Sequence, residues 1–157
     1  MAVRAPVPGM RDATSLPILF RTDAPPEAAR DAGADACLIV VEEHEDEERL
    51  EELQARASSL GLEVVADVHD DESLSSSLER IDPEIFLLSP RDAEDDEDDI
   101  ERILDLLPDV PAGKLAIADL QAATRDDVVS LERAGVDAVL VDTKKIAHLV
   151  GGAPPEV

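Results

Sequence analysis

GLEVVADVHDDESL, residues Gly61–Leu74, is the stretch from which the fold is read. Its first part, LEVVADV (62–68), is a short apolar run rich in valine, as expected of a strand buried on both faces. The chain then passes directly into a helical pattern over 71–80, and Asp70 or Asp71 is placed to cap that helix. Three carboxylates, Asp67, Asp70 and Asp71, and a histidine, His69, therefore lie where a strand hands over to a helix. In a barrel of alternating strands and helices, chemistry is kept at that end of the strand.

The same pattern recurs outward in both directions. Apolar runs lie at LPILF (16–20), ACLIVV (36–41), EIFLL (84–88), KLAIA (114–118) and DAVLV (137–141). Amphipathic segments at 24–32, 46–60, 94–107 and 124–134 separate them, and 143–150 reads as a short tail helix. Six such units in a row predict an α/β fold with a parallel sheet. Two junctions repeat: Asp31-Ala-Gly-Ala-Asp-Ala enters the second run and Arg133-Ala-Gly-Val-Asp-Ala the last. Gly33 and Gly135 sit where a helix C-cap needs positive φ, and Asp35 and Asp137 read as turn or cap residues. Thr124, followed by Asp126 and Asp127, marks a helix start. Glu94–Asp99 reads as a solvated acidic helix start, too irregular in spacing to hold a cation.

Composition narrows the function classes. With 157 residues and 44% hydrophobic content, the chain suits one domain with a real core. Residues 1–15 are Pro-rich and read as an irregular extension, 16–150 as the domain and 151–157 as a tail. The net charge of −24 and a pI near 4.1 exclude a phosphate-binding basic surface and hence a nucleic-acid partner. Carboxylates on helix faces throughout the chain are expected of a protein adapted to a salty cytoplasm, where ions screen self-repulsion. No apolar run approaches the ~20 residues of a membrane span, and the N-terminus has no signal-peptide core. Cys37, the single cysteine, lies inside an apolar run and reads as a small buried hydrophobe. No disulfide framework is possible within one chain, in keeping with a reducing cytoplasm. His44, His69 and His148 show no ligand spacing, so neither a metal nor a cofactor is expected.

Several phrases resemble successive parts of indole-3-glycerol-phosphate synthase, a carbon–carbon lyase of tryptophan biosynthesis. LPILFRTD is similar to that family's third strand and the loop after it, AGADACLIVV to its fourth and LEVVADVHDDESL to its fifth. IFLLSPRD is similar to the sixth, LAIADLQ to the seventh and AGVDAVLVDTKKI to the eighth. The resemblance implies a TIM-barrel-like (β/α) repeat with about six of eight parallel strands, the first two βα units missing. The lysine and glutamate of the family's first strand have no match in Met1–Ser15. An arrangement of six strands would leave two open edges, to be covered by self-association or a partner chain.

The resemblance also implies a site, with departures. Arg21 stands at the family's catalytic lysine, and a guanidinium does not give up its proton. Arg21 retains a fork for a carboxylate or phosphate; the structural alternative is a surface pair with Asp23. Asp67 and Asp119 stand at catalytic glutamates, each one methylene shorter, either as acid and base or as strand-end turn residues. Ser89 replaces a substrate-contacting asparagine, and Arg91 with Asp92 keeps an Arg-Asp pair. Gln121, Asp142 and Thr143 occupy positions where the family binds phosphate through glycine and serine. There Gln121 obstructs close backbone approach, and Asp142 puts a carboxylate where a phosphate would sit or caps the tail helix itself. Lys144 and Lys145 offer only flexible positive charges.

These departures predict a divergent, cytoplasmic member of the family, a pseudoenzyme that has lost the ring-closing decarboxylation. It would bind a ligand, such as a small anion, or a partner through the old barrel mouth. Two alternatives stand beside it. One is an active lyase or isomerase using Asp67 and Asp119, with Arg21 holding the substrate. The other is a structural subunit completing another barrel.

Overall fold

A computed structural model of the chain describes residues 1–3, 9–90, 96–120 and 123–141. Seven parallel strands form one sheet in chain order: β1 (Ala2–Val3), β2 (Leu19–Asp23), β3 (Ala36–Ile39), β4 (Glu63–Val68), β5 (Ile85–Leu88), β6 (Leu115–Asp119) and β7 (Ala138–Leu140). Helices α1 (Met10–Ala13), α2 (Pro26–Asp31), α3 (Glu47–Ser59), α4 (Asp71–Arg80), α5 (Asp96–Leu106) and α6 (Arg125–Ala134) alternate with them. The sheet curls into a nearly closed (β/α) barrel. Among the described residues no pairing joins β7 to β1, and no helix is long and apolar enough to cross a membrane.

Strand parity sorts the core into an inside and an outside. Leu19, Leu38, Val40, Val65 and Leu87 form a buried cluster, joined by Ala2, Ala36, Ile85, Ile117 and Leu140. Every strand contributes to this cluster and no helix does, which makes it the barrel interior. The intervening positions face the helices. Ile39, Ala66, Val68, Phe86, Leu88, Ala116 and Ala118 pack with Leu50, Leu74, Ile103 and Leu131. Phe20 and Cys37 pack with Ala29, Ala57 and Leu62. Strands apolar on both faces thus follow from two cores, one on each side of the sheet. Cys37 is buried in the outer one, where desolvation pushes its thiol up to about 11.

Three details depart from the sequence reading. The stretch read as irregular contributes β1 and α1; Ala2 and Val3 pair with Leu19 and Phe20, and the Leu19 N–H donates to the Met1 carbonyl at 2.7 Å. Two residues carry too little pattern to announce a strand. The run read as 16–20 becomes a strand over Leu19–Asp23, since Pro17 has no N–H for the ladder. Asp99, in the run read as solvated, is buried instead; helical spacing puts it on the face of Ile103 and Leu106, both core residues.

The repeated Ala-Gly-x-Asp-Ala junctions do the same work twice. Gly33 and Gly135 adopt φ of +77° and +108° just past α2 and α6. The following aspartate then reaches the strand on its other side: Asp35 accepts from the Ile18 N–H at 2.7 Å, and Asp137 from the Ala116 N–H at 2.8 Å. Each closes the bottom of the barrel where a ladder begins. Arg11 adds a 2.8 Å ion pair to Asp35. The Ile18 N–H and Arg11 hold the Asp35 carboxyl below the ordinary range.

Helix starts follow local chemistry. Thr124 caps α6 in a reciprocal box with Asp127, and Asp70 caps α4 in one with Ser73. The Ser73 N–H donates to Asp70 at 2.8 Å and holds its carboxyl below the ordinary range, against a smaller effect of burial. Asp70→Ala is expected to cost about 1 kcal/mol in urea unfolding at neutral pH. A depressed folded-state pKa stabilises above the unfolded value, near ~3.9, and that stability is lost as pH falls through the folded value. The mutational loss should therefore shrink towards pH ~3; a constant loss across that window would contradict the cap.

Candidate functional site at the barrel mouth

The inward row gives out one step above the apolar layer. Leu19, Val65, Leu87 and Ile117 point into the barrel; two residues further along each strand path stand Arg21, Asp67, Ser89 and Asp119. With a side-chain period of two, all four arise on the inner face towards the C-terminal ends of β2, β4 and β6 and one residue past β5. The apolar cluster forms their floor.

These residues meet in pairs. Arg21 forms an ion pair with Asp119 across the barrel, with side chains 20% and 9% exposed. In a flat sheet, β2 and β6 would lie four strand spacings apart, about 19 Å, beyond the reach of any side chain. The contact exists because the sheet curls. Ser89 donates its hydroxyl to Asp67, and both residues are buried. The Ser89 backbone is anchored in turn, its N–H donating to the Val68 carbonyl at 2.8 Å.

The surface pairing considered for Arg21 is corrected by this geometry. The strand register shifts between Phe20 and Asp23, and Asp23 meets His44: Nε2 lies 3.0 Å from Oδ2 and 3.3 Å from Oδ1. Arg80, at the end of α4, fixes the His44 segment by donating to the carbonyls of Val41 and His44 at 3.1 and 2.5 Å. Its Nε also meets Glu47 at 2.5 Å. The sequence reading missed both partners. His44 follows an apolar strand with no spacing signal, and Arg80 acts through backbone carbonyls that no motif encodes. His69 lies beside the α4 cap, its Nε2 3.4 Å from Asp70. Among the described residues no three His, Cys, Asp or Glu side chains group as a metal site. Arg91, Asp92, Gln121, Asp142, Thr143, Lys144, Lys145 and His148 lie outside the described residues.

Residues 24–148 match the model of the family described as indole-3-glycerol phosphate synthase. The chain belongs to this family. Curated indole-3-glycerol phosphate synthases from Variovorax paradoxus (strain S110) and Acidithiobacillus ferrooxidans (strain ATCC 53993 / BNL-5-31) are 36% and 38% identical to it, each over 113 residues. That stretch is 72% of this chain and 42% of either relative, so the chain spans less than half the length of the synthases it matches. Solved structures agree on the fold. A mutant tryptophan synthase alpha-subunit from Pyrococcus furiosus superposes with a TM-score of 0.67 at 19% identity, covering 90% of this chain and 69% of that one. A 3-hexulose-6-phosphate synthase gives 0.58 at 12% identity, over 85% and 70%.

Proposed function

We propose that this family member binds a small ligand at its barrel mouth and no longer carries out the ring-closing decarboxylation of the synthases it resembles. The Arg21–Asp119 ion pair carries this reading. The resemblance places a proton-donating lysine where Arg21 stands, and a guanidinium does not release its proton in a protein. Asp119, at the position of a catalytic glutamate, is committed as that guanidinium's acceptor. Asp67, at the other, accepts the Ser89 hydroxyl. Both carboxylates are one methylene short of the glutamates they stand for, and a displacement of about 1 Å costs on the order of 100-fold in rate.

The test is turnover of the synthase substrate, carboxyphenylamino-deoxyribulose phosphate, followed by indole-glycerol fluorescence. It is run in about 2–3 M KCl, where the Debye length falls to a few ångström and the repulsion within a chain of net charge −24 is screened. Folded protein is expected to give no turnover. Turnover that Asp67→Asn abolishes would restore the lyase reading and sink this one.

A further inference from the structure

We infer that His44, held by Asp23, is a general base at the same end of the barrel and hydrolyses small uncharged esters. The inference uses neither Arg21 nor Asp119 and stands apart from the reading of the ring-closing reaction.

The geometry fixes the tautomer. An ionised carboxylate only accepts hydrogen bonds. His44 Nε2 lies 3.0 and 3.3 Å from the two Asp23 oxygens, so Nε2 carries the hydrogen of the neutral ring. The lone pair is then on Nδ1. Among the described residues nothing takes this nitrogen up, and it is not enclosed as the unpartnered Nδ1 of His69 is. It is the nitrogen that solvent reaches. The ring is also held from behind. The His44 N–H donates to the Val41 carbonyl at 3.1 Å, and the His44 carbonyl accepts from Arg80. Arg80 is tied in turn to the Val41 carbonyl and to Glu47. Backbone fixed on both sides of an oriented ring is the support that an acid–base group requires.

In the reaction, Nδ1 takes a proton from a water molecule as the water oxygen bonds to the ester carbonyl carbon. The imidazolium so formed pairs with the Asp23 carboxylate. Collapse of the adduct breaks the bond to the alcohol oxygen, which leaves with the electron pair and takes the proton back from Nδ1. Asp23 touches no substrate atom; it is a positioning residue that sets the tautomer and balances the transient charge. Glu42, Glu43, Glu45, Asp46 and Glu47 flank His44 in the chain. They favour a cationic ring and repel anions, which is why the substrate class is an uncharged ester.

The probe is p-nitrophenyl acetate, given to the full chain in about 2–3 M KCl, with N-acetylhistidine at equal concentration as the reference. The chain is expected to release nitrophenolate at least about tenfold faster than the reference. His44→Gln should remove that excess, and His69→Gln should leave it unchanged. Asp23→Asn, which frees the ring to take the other tautomer, should lower it at least about tenfold in a chain that still folds. A contact that only ties two loops together would lower Tm and give no excess rate to lose. Should the variants fail to fold, diethyl pyrocarbonate on the unaltered chain decides: peptide mapping should find His44 carbethoxylated ahead of His69. The inference is overturned if the chain is no faster than the reference or if His44→Gln or Asp23→Asn keeps the excess. It is equally overturned if His44 resists carbethoxylation in the folded chain. Turnover of the synthase substrate would remove the functional reading above and leave this inference to the ester assay.

Discussion

Phe86→Ala is expected to lower stability by about 3–5 kcal/mol, the largest effect of any single truncation in this chain. Phe86 is fully buried on the outward face of β5. It sits in the cluster shared by the sheet and its covering helices, with Leu74, Ile103 and Leu131. The chain has no tryptophan or tyrosine and only two phenylalanines, so no other aromatic can swing into the space. Its own strand is paired on both sides, with β4 and β6, which limits collapse around the cavity and keeps the cost high. Small domains are stable by only about 5–15 kcal/mol, so the variant would be close to unfolding. Urea unfolding in molar KCl should show a lower midpoint at unchanged slope. A loss under about 1 kcal/mol would mean that the helices do not pack on β5 as described.

The second large effect is at the ion pair, and its sign depends on whether one partner is removed or both. Arg21→Met leaves Asp119 without its guanidinium, and Asp119→Leu leaves Arg21 without its carboxylate. Each single change is expected to cost about 2–3 kcal/mol, below the 3–5 of a fully buried pair because Arg21 is partly solvated. The double variant places two apolar side chains over the apolar floor and should recover most of the loss. The coupling read from this cycle is the physical measure of the cross-barrel contact. Additive losses would show that the two side chains do not depend on each other.

What could be read from the sequence was local. The six longer strands announced themselves because each is apolar on both faces, and the helices because their caps are chemistry within four residues. Asp70 with Ser73 and Thr124 with Asp127 are such caps. The inner-row positions of Asp67 and Asp119 follow from counting in twos along strands already placed. Family membership was legible for the same reason: strand-end phrases such as LEVVADVHDDESL are contiguous. The irregular points were not legible. Nothing near Phe20 announces the register shift before Asp23 or the contact of Asp23 with His44. Asp99 looked solvated because charge is a poor guide to which face of α5 meets the core.

The sequence by itself determined the alternation of strands and helices, the repeated glycine-aspartate junctions, the acidic composition and the residue types at the barrel mouth. Only the tertiary structure decided who meets whom there. Arg21 belongs to Asp119 and not to Asp23, because curling the sheet brings β2 and β6 face to face across the axis. Asp67 belongs to Ser89, because β4 and β5 are paired in a register that sets both side chains on the same inner row. Local pattern sets which face a side chain takes; barrel closure sets which distant side chain it finds, since that distance is fixed by all the strands between them.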